Sequence, residues 1–126
     1  MKSKKLGIWM DHDHAHLVEF NQENLETKTV PSHFENESKE NHITHGERHE
    51  LARHAQHKAE YFKALGQVIK NYPEVLLFGP TTAKSELFNT LFGDQQFSRI
   101  RVQVAQADKM TENQMHEFVQ HHLLKD

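Results

Sequence analysis

The sequence predicts an α/β domain, a mixed sheet with helices packed against it, in the order βββαβαβα. Three observations predict it. The runs LGIWM at 6–10 and EVLLF at 74–78 have the near-continuous hydrophobicity of buried strands. Residues 51–72 repeat apolar side chains at three- and four-residue steps, the signature of one long amphipathic helix. In the second half, strands alternate with helices, which favours parallel strands joined by right-handed crossovers.

Each element has its own local reason. The first strand ends at Asp11, His12 to His14 make the bend, and a second strand resumes at Ala15 with Leu17, Val18 and Phe20. After the turn-rich NQEN, residues 25–30 alternate Leu25, Thr27 and Thr29 with charged residues, so the first three strands form an antiparallel meander. From Pro31 to His45 the chain is polar and aperiodic, and a long loop is expected. Thr44 and Glu47 match a capping box that opens the long helix, whose apolar stripe runs through Leu51, Ala55, Ala59, Phe62, Leu65 and Ile69 to Tyr72, before Pro73. Gly79-Pro80 turns the chain out of EVLLF. A second helix follows, capped by Thr81 or Thr82, with Ala83, Leu87 and Leu91 inward and Gly93 as its stop. RIRVQVAQA alternates Ile100, Val102 and Val104 with polar residues, as in a half-covered strand. Thr111 and Gln114 form a second capping box, opening a helix that turns Met115, Phe118, Val119 and Leu123 inward.

Composition narrows the function classes. At 126 residues the chain makes one domain, 1–126, with a single core system. No cysteine is present, which removes disulfides, thiolate metal sites and cysteine nucleophiles and suits a reducing cytoplasm. No apolar run reaches the roughly 18 residues of a membrane span, and MKSKK lacks the apolar core of a signal peptide, so no membrane partner is expected. Fifteen Lys and Arg against eighteen Asp and Glu leave a formal charge of -3, so any contact with nucleic acid has to come from a local patch. Twelve histidines make the chain histidine-rich, and its charge swings positive on mild acidification.

Several constellations could carry chemistry. DHDHAH at 11–16 has the residue types of a metal site. Placed across a hairpin turn, though, its alternation is broken, and Asp and His there can bond the local backbone instead. GPTTAKS at 79–85 resembles a phosphate-binding loop but lacks the second glycine and falls one residue short, which leaves a strand-to-helix turn with an exposed Lys84. His45 and His49 lie four apart and could share a helix face, with His42 or Glu50 as a third ligand, a set that would suit zinc. The segment reads HGERH, with its Glu one place late for the HExxH pattern. A solvated face beside Arg48, Arg53 and Lys58 is the competing reading. His121 and His122 sit near a helix carboxyl end, with His122 at the border of the inward stripe. No serine lies in a nucleophile elbow.

The order of these motifs resembles the middle domain of the eukaryotic and archaeal class I peptide-chain release factors and of Pelota, together with bacterial relatives. LGIWMDHDHAHLVEFNQENLETKTV is similar to the family's first meander. EVLLFGPTTAKSELFNTL is similar to its strand, small-residue turn and lysine-containing helix, and RIRVQV with the helix after Asp108 completes the set. The resemblance implies a ribonuclease-H-like α/β sandwich of the kind found in translational machinery components. It departs from release factors where they carry a Gly-Gly-Gln loop. Here HFENESKENHITHGERHE has one glycine, Gly46, and sets Glu35, Glu37, Glu40, Glu47 and Glu50 against Lys39 and Arg48. Peptidyl-tRNA hydrolysis is therefore not expected. Nor are flanking domains like those that release factors use for codon reading.

The expectation is a non-catalytic binding module associated with ribosomes or RNA, without a cofactor, its binding residues Arg48, Arg53, Lys58 and Lys84. The alternative is a histidine-based metal-binding or hydrolytic protein centred on His42, His45 and His49, with zinc as the metal. A homo-oligomer is a third possibility, since a meander can leave an open sheet edge.

Overall fold

The computed structural model describes residues 4–30, 34–35 and 47–124, with side chains for 4–30 and 58–124. Strands β1 (Lys4–Met10), β2 (His14–Asn21) and β3 (Glu26–Thr29) form the meander, and a two-residue strand β4 (Phe34–Glu35) follows. The rest of the chain adds helix α1 (Glu47–Ile69), strand β5 (Glu74–Gly79), helix α2 (Ala83–Phe92), strand β6 (Arg101–Gln106) and helix α3 (Glu112–Leu124). A single 3-10 turn, Gln95–Phe97, lies between α2 and β6.

The six strands make one mixed sheet in the order β3-β2-β1-β5-β6, with β4 also paired to β2. β1, β5 and β6 run parallel, and β2 to β4 are antiparallel additions. β4 corrects the expectation of a featureless loop from 31 to 45: Phe34 and Glu35 extend the meander by pairing with Ala15 and His14. Thr44, the expected cap of the long helix, lies outside the described residues. That helix ends at Ile69 rather than Tyr72. Its last turn closes through tighter bonds, with the Asn71 N–H on the Val68 carbonyl and the Tyr72 N–H on the Ile69 carbonyl.

Two cores result, one on each face of the sheet. Leu6, Ile8, Val75 and Leu77 point to the face covered by α1 and α2, where Leu65, Ile69 and Leu87 are fully buried. Trp9, Leu76 and Phe78 point to the other face, against Met115, Val119 and Leu123 of α3. Both central strands are thus apolar at successive positions because both faces are covered. Gly7 lets α3 approach: a Cβ there would overlap the Val119 side chain. Gly79, at φ 152°, takes a backbone conformation that side-chain-bearing residues rarely adopt, and a Cβ would strike the Met10 carbonyl oxygen.

The inward stripes expected of α2 and α3 are observed, and Phe118 is half-buried. Gly93 does end α2, but at φ -86°, so it needs no left-handed conformation. On β6 the expected alternation holds only in part, because Val104 is 39% exposed at the sheet margin. At the opposite, amino end of the parallel strands, the buried Lys5 ammonium reaches the Leu123 carbonyl (2.9 Å) and Glu74 Oε1 (3.3 Å). It thereby ties β1 and β5 to the carboxyl end of α3, where a cation is electrostatically favoured.

Candidate functional site

In an open sheet with parallel strands, the loops at the strands' carboxyl ends are where side chains from distant segments converge. Here that edge gathers the hairpin tip after β1, the Gly79–Thr82 turn after β5 and the end of β6. The tip is an Asx turn. The Asp11 carboxylate accepts the backbone N–H groups of Asp13 (2.8 Å) and His14 (2.7 Å), and the Asp11 N–H donates to the His14 carbonyl (3.0 Å). The second strand starts at His14, one residue earlier than expected. The Tyr61 hydroxyl of α1 donates to the Asp11 carbonyl (3.0 Å), and burial pushes that phenol's pKa upward.

Glu86, on the first turn of α2, joins three segments. Its Oε2 lies 3.0 Å from His12 Nε2 and accepts the Thr82 hydroxyl (3.0 Å), while its Oε1 accepts the Lys58 ammonium (2.9 Å). The His12 hydrogen bond, then that of Lys58, holds the carboxyl at about 2, below its ordinary value of 4.5, against the opposing effect of burial. Thr82 occupies the cap position of α2, but the side-chain bond comes from Thr81, whose hydroxyl oxygen accepts the Ala83 N–H (3.1 Å).

Lys84 is the residue the structure corrects. It was expected exposed at this turn and is instead 5% exposed. Its ammonium donates to the Thr81 carbonyl and to Gln106 Oε1 (3.1 Å), and Gln106 in turn donates to the Pro80 carbonyl (3.3 Å). The side chain is drawn inward because these carbonyl oxygens at the strand ends need donors, so it joins the Gly79–Thr82 turn to β6.

Between α1 and α2 runs a groove of about 680 Å³. Its apolar floor includes Phe62, Leu91 and Phe97, and Lys58, Lys63 and Lys70 lie along the α1 side. Lys70 stands 5.8 Å over the Phe97 ring. Gly66 lets that ring approach α1, since a Cβ would sit 3.3 Å from Phe97 Cζ. Glu86 and Asp94 contribute the acidic groups of the opposite wall.

Of the residues singled out in the sequence, Lys58 and Lys84 lie at this edge of the domain, Lys58 in the groove and Lys84 beneath the neighbouring turn. Arg48, His49 and Arg53 belong to α1, with side chains outside the described set. His42 and His45 lie outside the described residues. Sequence reasoning missed Lys63, Lys70 and Glu86. The first two carried a usable signal, flanking Phe62 and Gly66 on one long helix. The role of Glu86 depends on His12, 74 positions away, and nothing local announces it.

No protein-family model matches the chain, and no curated protein does. Solved structures do. The Thermoplasma acidophilum Pelota protein superposes with a TM-score of 0.65 at 15% identity, over 94% of this chain and 32% of that one. Pelota from Archaeoglobus fulgidus gives 0.63 at 8% identity, over 98% and 32%. The chain has a Pelota-like fold. This bears out the resemblance seen in the sequence and agrees with a ribonuclease-H-like α/β sandwich. At such identities the likeness concerns the fold and not an activity. The chain spans about a third of the length of the Pelota chains it matches.

Proposed function

We propose that the protein is a non-catalytic binding module of the translation machinery, a release-factor-middle-domain-like unit that contacts ribosomal or other RNA through α1. The observation that carries this reading is the groove in which Lys58, Lys63 and Lys70 border an apolar floor that includes the half-buried Phe97 ring. Lysine supplies phosphate contacts, and an aromatic face such as Phe97 supplies a stacking platform for an unpaired base. Lys63 and Lys70 are exposed and have no carboxylate partner among the described residues. Lys58 is held by Glu86 and contributes less free charge. Arg48 and Arg53 extend the basic character of the same helix. The missing Gly-Gly-Gln loop leaves binding rather than peptidyl-tRNA hydrolysis as the expected role.

Co-sedimentation with ribosomes and anisotropy with a labelled single-stranded RNA test this directly. Wild-type protein is expected to bind at low salt. Lys63→Glu with Lys70→Glu is expected to weaken binding and to lower the salt dependence by about one unit of slope per lysine. Wild-type protein absent from every ribosomal fraction and inert toward RNA at low salt would refute the proposal.

The second reading is a histidine-based metal protein with zinc as the metal. It draws support from the hairpin tip, where ligand atoms of Asp11, Asp13 and His14 all lie within 4.8 Å of one another. One Asp11 oxygen already serves the backbone, which reduces what the tip can offer an ion. Native mass spectrometry after zinc loading, with and without chelator, separates the readings. A protein that retains no zinc removes the second.

A further inference from the structure

Three lysines line the groove, and one of them is already neutralised. The Lys58 ammonium meets Glu86 Oε1 at 2.9 Å, whereas Lys63 and Lys70 have no carboxylate partner among the described residues. The pair does not stand alone. His12 Nε2 and the Thr82 hydroxyl, each at 3.0 Å from Glu86 Oε2, complete a set of donors that converge on this one carboxylate from α1, the hairpin tip and the residue before α2. A carboxylate only accepts hydrogen bonds, and so does the anionic oxygen of a phosphodiester. The donors thus have the arrangement that a backbone phosphate requires, with Glu86 standing in it.

The cluster is open to an incoming strand. The side chains of Lys58 and Glu86 are 48% and 34% exposed and both line the groove. A pair exposed to this degree contributes little to stability and is screened by salt. The segments it joins also have other ties: the Tyr61 hydroxyl, on a buried ring, holds α1 to the Asp11 carbonyl (3.0 Å), and Thr81 caps α2. The Glu86 carboxyl is held at about 2, so it stays ionised near neutral pH, where protonation does not lift it and a competing anion can. Asp94 is the other acid lining the groove, but its carboxylate accepts the Gln96 N–H (2.9 Å) and holds no lysine. Asp11 and Asp13 line a separate concavity with Trp9 and Lys109. Lys58 is therefore the groove lysine whose charge an acid of the groove withholds.

We propose that Lys58, His12 and Thr82 form a phosphate subsite of the groove that Glu86 fills from within, so that its carboxylate competes with a backbone phosphate of bound single-stranded RNA and holds the affinity down. The inference rests on the RNA-binding reading and adds the regulation of its site. The subsite lies at one end of the groove, and Lys70 over the Phe97 ring lies at the other, about 18 Å further along α1 and its last turn. A strand lying in the groove meets both ends. As it binds, a phosphate takes the Lys58 ammonium and the Glu86 side chain turns out to solvent.

Anisotropy with a labelled single-stranded RNA, over a salt series at constant pH, tests this. Glu86→Gln keeps the shape of the side chain and removes its charge. It is expected to bind about threefold tighter than wild type at low salt, and to raise the salt dependence by about one unit of slope, the contribution of one more lysine. A residue that only holds the fold would lower the thermal midpoint and the affinity together, whereas here the midpoint falls as the affinity rises. Asp94→Asn takes the same charge from the same wall without releasing a lysine, and its gain is expected to be smaller. With Lys58→Ala in place, the gain from Glu86→Gln is expected to shrink to that of Asp94→Asn. Glu86→Asp draws the carboxylate back by one methylene, and its affinity is expected to lie between wild type and Glu86→Gln. A folded Glu86→Gln chain that binds no tighter than a wild type that does bind overturns the proposal and leaves the RNA reading in place. So does an equal gain from Asp94→Asn. Wild type and Glu86→Gln both inert toward RNA at low salt overturn the two together.

Discussion

Glu86 shows how one side chain can fix the relation of three segments that are remote in sequence. Its carboxylate holds the hairpin tip through His12, the helix α1 through Lys58 and its own helix start through Thr82. The folded state favours the ionised form, since the pKa is lowered from 4.5 to about 2. A lowered carboxylate pKa contributes stability that is fully present above the ordinary value and is lost as pH falls through the folded value. Glu86→Gln keeps the shape and removes the charge. Its thermal midpoint is therefore expected to lie below wild type above about pH 5, with the gap closing as pH approaches 2. The carboxylate is about one-third exposed, so solvent screening keeps the gap modest. Melting curves of both proteins across this range check the point, and a gap that does not change with pH would contradict it.

At the scale of elements, what the sequence disclosed was what local chemistry determines. The Thr111–Gln114 box forms with both bonds: the Thr111 N–H donates to Gln114 Oε1 (2.9 Å) and the Gln114 N–H to Thr111 Oγ1 (3.2 Å). Thr111→Ala removes one of them and is expected to cost about 1 kcal/mol, measurable in urea unfolding, with an unchanged slope. The Asx turn at Asp11 was legible for the same reason, since its donors lie two and three residues on. So were the stripes of α2 and α3, which follow helical spacing. Lys84 was not legible, because its burial is decided by the need of the Thr81 carbonyl and Gln106 for a donor, a contact 22 residues away in sequence. The same holds for the clamp between β3 and α3, where Thr27 and His116 are 89 positions apart. β4 escaped notice because two residues carry no periodicity; β2 supplies its register. Of the candidate site, the sequence disclosed the basic character of α1 at Lys58 but not the groove, which exists only where Phe97 comes to rest against Gly66.

For the whole molecule, the order of elements was legible because alternating strands and helices admit few topologies, and each apolar run matched one buried strand. The charge balance adds a property that belongs to no single residue. With histidines neutral the chain carries -3, and twelve protonated histidines would bring it to +9, the sum of -3 and 12. Imidazole is the side chain whose ordinary charge change falls within the physiological pH range, so binding compared at about pH 7.5 and about pH 5.5 tests whether that charge is used. Added positive charge lowers the repulsion between the acidic chain and a polyanion, and each imidazolium near a phosphate releases a counterion. Binding of a labelled RNA is thus expected to proceed with proton uptake: tighter at the lower pH, and with a steeper dependence on salt. Anisotropy titrations over a salt series at both pH values measure the two effects together. Equal affinities and equal slopes would mean that the histidines lie away from the bound strand, and that the α1 lysines alone carry the contact.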